Sequence, residues 1–146
     1  MGISNRHLNT HEGDIAFNLE ALAEKIRLNV PGVSFCLLMG SAVNGVVKEG
    51  SDIDLACYLD EPASLDFYAV MADAVGKVLP SVRCDIGILN RAEPVYRFEA
   101  LKGRLLFVRD METYAEFFSR TCREYESQMF DYERQKRYRM EAKHAV

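Results

Sequence analysis

Gly40-Ser41-Ala42-Val43-Asn44-Gly45 and, ten residues beyond Ser41, Ser51-Asp52-Ile53-Asp54-Leu55 carry the most information in this chain. Ile53, Leu55, Ala56, Cys57 and Tyr58 make the second stretch a strand, so Asp52 and Asp54, two positions apart, share one face. Two carboxylates aimed the same way repel each other and resist burial unless cations compensate them. Oxygen-only donors beside a phosphate-sized gap are what magnesium uses. Upstream, Gly40-Ser41 offers a tight turn whose backbone N–H groups suit phosphate oxygens where a helix begins. Gly40, Ser41 and Ser51 are therefore candidate nucleotide-binding residues and Asp52 and Asp54 candidate metal ligands. Together they read as a site for a nucleoside triphosphate and its metal ions.

Working outward, Val33 to Met39 is a continuous apolar run that suits a buried strand, Ser41 to Val47 a short helical turn, and Lys48-Glu49-Gly50-Ser51 a polar loop. From Asn9 or Thr10, Ile15, Leu19, Leu22 and Ile26 recur at helical spacing until Asn29-Val30-Pro31-Gly32 stops the pattern. Phe67, Val70, Met71, Ala74, Val75 and Val78 form the face of a second helix ended by Pro80. In a third strand, Val82 to Leu89, the residues Arg83, Asp85, Gly87 and Leu89 share one face. Asn90-Arg91-Ala92-Glu93 has capping-box spacing before Pro94 and a stripe of Val95, Phe98 and Leu101 ending at Gly103; Leu105 to Val108 is a short fourth strand.

From Met111 a helix runs almost to the end, with Tyr114, Phe118, Cys122, Tyr125, Met129 and Tyr132 on one stripe. About 30 residues span ~45 Å, against on the order of 38 Å for a compact domain of this size, so its far end should project or bend back. The expected fold is α/β, more strictly α+β: a small mixed sheet of about four strands packed with helices and followed by a long C-terminal helix. One domain fills 1–146, with a core over about 15–110 and the final helix over about 111–143.

Composition sets limits. The apolar fraction of 49% is ordinary for a soluble globular domain. No apolar run of about 18 residues exists and Met1 to Gly13 is polar, which predicts a cytoplasmic protein without a membrane role. Cys36, Cys57, Cys84 and Cys122 sit in apolar or helical patterns without a Cys-x-x-Cys pair, and read as reduced core residues. His7 and His11 have helical i, i+4 spacing but no further ligand for a metal. Net charge is −4, yet residues 134–146 carry +4, leaving −8 on the rest. An acidic body disfavours direct nucleic-acid binding. The basic end either complements the helix dipole or touches an acidic partner.

Phosphoryl or nucleotidyl transfer needs positioning and charge neutralisation more than covalent help. In a two-metal scheme two carboxylates bridge the ions and a third completes the set. Asp85 is the acid placed within a neighbouring strand; its alternative use is a salt bridge to Arg83 or a solvated place at a strand edge. Asp60 falls at a turn before Pro62, and Asp66 and Asp73 lie opposite an apolar helix face. A P-loop is absent, since no Gly-Lys-Ser/Thr occurs.

Gly40-Ser41, the ten-residue gap, Asp52-Ile53-Asp54 and a later Asp85 resemble the nucleotidyltransferase superfamily of the polymerase beta type. Asp85-Ile86-Gly87-Ile88-Leu89-Asn90-Arg91-Ala92-Glu93-Pro94, Leu101-Lys102-Gly103-Arg104-Leu105-Leu106-Phe107 and the long last helix look like the minimal nucleotidyltransferases of the MntA antitoxin group, over roughly residues 15–140. That resemblance implies an antitoxin that transfers AMP from ATP, with two magnesium ions, to a tyrosine of a cognate HEPN-domain ribonuclease toxin. It implies Asp52, Asp54 and Asp85 as metal-binding catalytic residues, Asp85 also activating the tyrosine hydroxyl, and Gly40 and Ser41 as the phosphate turn. Many relatives carry Arg before the glycine where this chain has Asn44, which leaves triphosphate charge to Lys48, Arg91 or the metals. Two other functions stay open: an antitoxin that masks its toxin without catalysis, and a nucleotidyltransferase acting on a small molecule such as an aminoglycoside, or on RNA.

Overall fold

The apolar run at Val33–Met39 becomes β2, and the computed structural model, which describes residues 13–144, shows why this strand needs no polar face. β2 lies between β4 (Ile53–Leu59) and β6 (Arg104–Val108), with β5 (Cys84–Ile88) outside β4, in a sheet of order β5-β4-β2-β6. β2 is antiparallel to β4 and β6, whereas β4 and β5 are parallel and are joined through α2 (Phe67–Gly76), the crossover that parallel pairing requires. Cys36, Leu38, Leu55 and Cys57 point into a core shared with α1 (Leu19–Asn29) and α2. Phe35, Leu37, Ala56 and Leu89 point the other way, into a core with α3 (Pro94–Leu101) and α4 (Met111–His144). Alternate residues of one central strand thus fill two cores. Cys36 and Cys57 face each other with Sγ atoms 3.7 Å apart, and all four cysteines are free thiols.

The N-terminal helix is shorter than the periodicity suggests. Its expected start at Asn9 or Thr10, and the His7/His11 pair, lie outside the described residues. Ile15–Ala16 is a strand, β1, paired antiparallel with β3 (Val46–Val47), and α1 starts only at Leu19, where Asn18 Oδ1 accepts the Ala21 N–H at 3.0 Å. Ile15 keeps helical spacing from Leu19 yet reaches the core from a strand. The expected turn over Ser41–Val47 likewise divides into a 3-10 helix, Gly40–Asn44, and β3, separated by Gly45 at φ +85°.

The capping box at Asn90 does not form. Asn90 still lies beside the end of β4, where its side chain accepts from Leu59 N–H and donates to Leu59 O, each at 2.9 Å. α3 therefore begins at Pro94 with Glu93 as an N-cap that makes no side-chain bond. Its fully buried residues are Arg97 and Ala100; of the Val95, Phe98, Leu101 stripe, Leu101 packs against that core, Phe98 is half-buried and Val95 is exposed. Gly103, between α3 and β6, is required by close approach: a Cβ there would stand 2.3 Å from the Leu38 carbonyl oxygen. Gly103→Ala is expected to cost about 2 kcal/mol as the backbones part, measured by urea unfolding.

α4 contains 34 residues, so it extends ~50 Å. Its buried positions are Phe117 and Thr121, one step off the stripe through Phe118, which is 45% exposed. Phe117 decides the rotation, because its ring packs edge-on against Phe35 and Tyr58 at 5.2 and 5.5 Å. A stacked Phe98–Tyr125 pair, 3.9 Å between centroids, holds α4 to α3. From Phe130 to His144 every side chain is exposed, so the far end of α4 projects. Among the described residues no helix is long and apolar enough to cross a membrane.

Candidate active site

Three strand ends meet at one edge of the sheet. β2 finishes at Met39, whose register partner is Asp54 near the start of β4; Asp54 in turn is the partner of Asp85 on parallel β5. Residues in register on adjacent strands point to the same face, so the two carboxylates stand side by side on the α3/α4 face. Asp52 lies just before β4, exposed, on a segment whose next residue donates from Ile53 N–H to Arg83 O at 2.9 Å. Gly40, at φ +76°, turns the chain immediately beside this edge: a Cβ on it would stand 3.4 Å from Asp54 Oδ2. Ser41 follows, exposed, in the first turn of the 3-10 helix. Ser51 is exposed in the turn closed by its own N–H to Lys48 O at 2.9 Å. The structure thus brings Asp54, Asp85 and Gly40 together, with Asp52, Ser41 and Ser51 on the flanking turns.

Electrostatics mark this edge as short of positive charge. Asp52, Asp54 and Asp85 take part in no ion pair among the described residues. Burial first, then the charges of Asp85 and Asp52, raise the Asp54 carboxyl above its ordinary value. Cys84, on the opposite face of β5, is pushed up to about 12 by burial, with Cys57 and the three carboxylates adding to it. It therefore stays a thiol, on the face away from Asp54 and Asp85. As the side chains stand, no group of three or more His, Cys, Asp or Glu among the described residues is gathered closely enough to hold a metal ion. The donors nonetheless fit a hard divalent cation in kind: carboxylate oxygens only, mutually repelling, and unpaired.

Of the two side chains expected to offset triphosphate charge, Lys48 lines a groove with Ser51 and Asp52, whereas Arg91 lies away from it. Lys48 Nζ lies 3.6 Å from Asp14 Oδ2, and Asp14 Oδ1 accepts the Glu49 N–H at 2.8 Å, so this lysine is tied into the anchoring of the loop that carries Ser51 and Asp52. Arg91 follows Asn90 at the far end of the sheet, beside Leu59, which lies five residue steps along β4 from Asp54, ~17 Å of strand. Arg83 lies nearer: it shares a groove with Ser51, Asp52 and Ser81. The arginine makes no ion pair with Asp85.

Sequence reading missed Tyr96. This side chain comes down from α3 over Gly87, which follows Asp85 by two on the same face. Its hydroxyl senses the site: burial, then Asp85 and Asp54, raise its pKa. The sequence signal was a glycine in the middle of a strand, a mark of close approach by another group.

Comparison with known proteins now bears on this geometry. The family described as polymerase beta, nucleotidyltransferase, matches residues 20–112. No protein of curated function matches the sequence. Among solved structures, a mutant MntA–HpeT toxin–antitoxin is similar at a TM-score of 0.63 and 21% identity, covering 81% of this chain and 93% of that one. A toxin–antitoxin with AMP-PNP follows at 0.62 and 23%, with the same coverages of 81% and 93%. A tri-AMPylated HEPN toxin from Shewanella oneidensis in complex with MNT antitoxin gives 0.58 and 21%, again covering 81% and 93%. At such identities these likenesses show the fold alone.

Proposed function

Because the chain belongs to the polymerase beta nucleotidyltransferase family, we propose that it is an antitoxin that transfers AMP from ATP to a tyrosine of a cognate HEPN ribonuclease toxin. The observation that carries this reading is the side-by-side register of Asp54 and Asp85, beside the Gly40 turn and next to Asp52. The similar solved structures support the choice of partner, since their names join an MntA or MNT antitoxin to a toxin, one of them AMPylated. The neighbour with AMP-PNP supports ATP as donor.

Asp52, Asp54 and Asp85 would hold two magnesium ions, which when bound supply Lewis-acid polarisation and neutralise triphosphate charge. Gly40, Ser41 and Ser51 would hold phosphate oxygens through backbone N–H and hydroxyl groups. The tyrosine oxygen attacks the α-phosphorus, the bond from that phosphorus to the bridging oxygen breaks, and pyrophosphate leaves. A phenol with a pKa of about 10 must lose its proton as it attacks, and Asp85, the more exposed carboxylate of the adjacent pair, would take it. The projecting end of α4, with Tyr132 and Tyr138 among Arg134, Arg137 and Arg139, is available to a protein partner.

The reading is tested by offering ATP labelled at either the α- or the γ-phosphorus to the product of the adjacent gene, to total RNA and to an aminoglycoside. The expected outcome is α-label on the protein alone and γ-label on none. Label on RNA or aminoglycoside would replace the protein acceptor. A stable complex without label would make the chain a masking antitoxin.

A further inference from the structure

Tyr96 is not explained by the residues assigned so far. Its ring lies so close over Gly87 that a Cβ at that position would meet Oη at 2.0 Å and Cζ at 2.8 Å. Gly87 is the register partner of Ala56, and these two small residues continue the same face from Asp85 and Asp54. The acids are thus followed along their strands by a shallow trough, and the phenol fills it. Tyr96 Oη makes no hydrogen bond among the described residues. The residue is half-buried but the hydroxyl itself is open to solvent, so it is free to take a ligand as its partner.

We propose that Tyr96 Oη donates a hydrogen bond to the phosphoryl group in transfer, an oxygen of the nucleotide's α-phosphate, so that Tyr96 is a further catalytic residue and Gly87 the position that makes room for it. This rests on the nucleotidyl-transfer reading above. A phenol is a neutral donor, which suits the site: it stabilises a phosphate oxygen without adding charge that would compete for the carboxylates. Burial first, then the charges of Asp85 and Asp54, raise its pKa, so the hydroxyl stays protonated and remains a donor. The small Gly87 explains how a side chain from α3 reaches a site built from β4 and β5. A larger residue there would lift the ring away.

The experiment uses Tyr96→Phe, Gly87→Ala and the double variant. Transfer of α-labelled AMP to the partner protein is followed at saturating ATP, together with melting temperature and the phosphorus NMR spectrum of bound AMP-PNP. Tyr96→Phe should lower kcat roughly 10–100-fold with an unchanged melting temperature and a KM for ATP within about threefold, because the bond strengthens as charge develops. Gly87→Ala should show a comparable loss although the hydroxyl is still present, and the double variant should be no worse than either. In the NMR spectrum the α-phosphorus resonance should move in Tyr96→Phe while the γ resonance stays. A wild-type rate in Tyr96→Phe, or losses that multiply in the double variant, would overturn the donor role. So would an AMP unit found on Tyr96 itself, which would make it an acceptor. An unmoved α resonance overturns it whether or not any acceptor is adenylylated. Absence of transfer by the wild-type protein would instead count against the underlying reading.

Discussion

Asp54→Asn is expected to lower nucleotidyl transfer by about 10³-fold while the protein folds and, in the absence of divalent metal, melts above wild type. On the proposed reading, the activity loss follows because Asp54 would hold a cation that contributes several kcal/mol to the transition state. The stability gain follows from what ionised Asp54 endures: burial, and the adjacent charges of Asp85 and Asp52. Its folded pKa is raised, so the protonated carboxyl is the form the fold prefers. Stability is therefore fullest below the ordinary carboxyl value of 3.8 and falls as pH rises through the raised folded value. In the asparagine variant that fall should be absent. Melting curves against pH without metal, repeated with magnesium, check both halves: the variant should melt roughly 2 °C higher than wild type near neutral pH without metal. Magnesium should raise wild type and leave the variant unmoved. A variant less stable than wild type without metal would mean that Asp54 holds the fold together and is not kept for a ligand.

Arg97→Ala is the substitution expected to damage the fold most. Arg97 is 8% exposed, and its guanidinium donates from Nε to Leu89 O at 3.1 Å, from one terminal nitrogen to Asn90 O at 2.8 Å and from the other to Glu124 Oε2 at 3.2 Å. It also stands 5.8 Å from the centre of the Phe117 ring. One side chain thus fastens the end of β5, the start of α3 and the middle of α4. Truncation removes a donor from Leu89 O, Asn90 O and Glu124 and leaves a void, although Leu89 O keeps the Ala92 N–H at 3.2 Å and Glu124 keeps Arg120 Nε at 3.9 Å. The expected cost is about 3 kcal/mol, or roughly 10 °C in melting temperature. Arg97→Lys should recover only part, since an ammonium cannot serve three acceptors from one planar fork. A loss in Arg97→Ala below about 1 kcal/mol by urea unfolding would show that these bonds merely replace solvent.

What the sequence made legible was whatever depends on local pattern alone. The buried run of β2, the face of α2, the place of Asp54 within β4, and a reduced state for Cys36 and Cys57 all follow from period and composition, whereas Asp52, expected inside that strand, lies just before it. The errors arose where a distant group took over. Asn90 has capping-box spacing, but the end of β4 offers Leu59 N–H and O to its amide. Arg97 looks like the solvent side of a helix until Leu89 O, Asn90 O and Glu124 surround it. Ile15 fits a helical period, but β3 is there to pair with it. The place of Asp85 on the face of its strand was recoverable from parity. The place of Tyr96 was not, because it depends on which strand glycine α3 happens to cover.

The central claim is that this acid edge moves AMP onto a partner protein, and the most direct measurement is the intact mass of that partner. The product of the adjacent gene would be incubated with ATP, magnesium and either wild-type protein or the Asp52→Asn/Asp54→Asn variant. The account predicts one or more AMP units on the partner with wild type and none with the variant. An unmodified partner in both reactions, or equal modification in both, would contradict it.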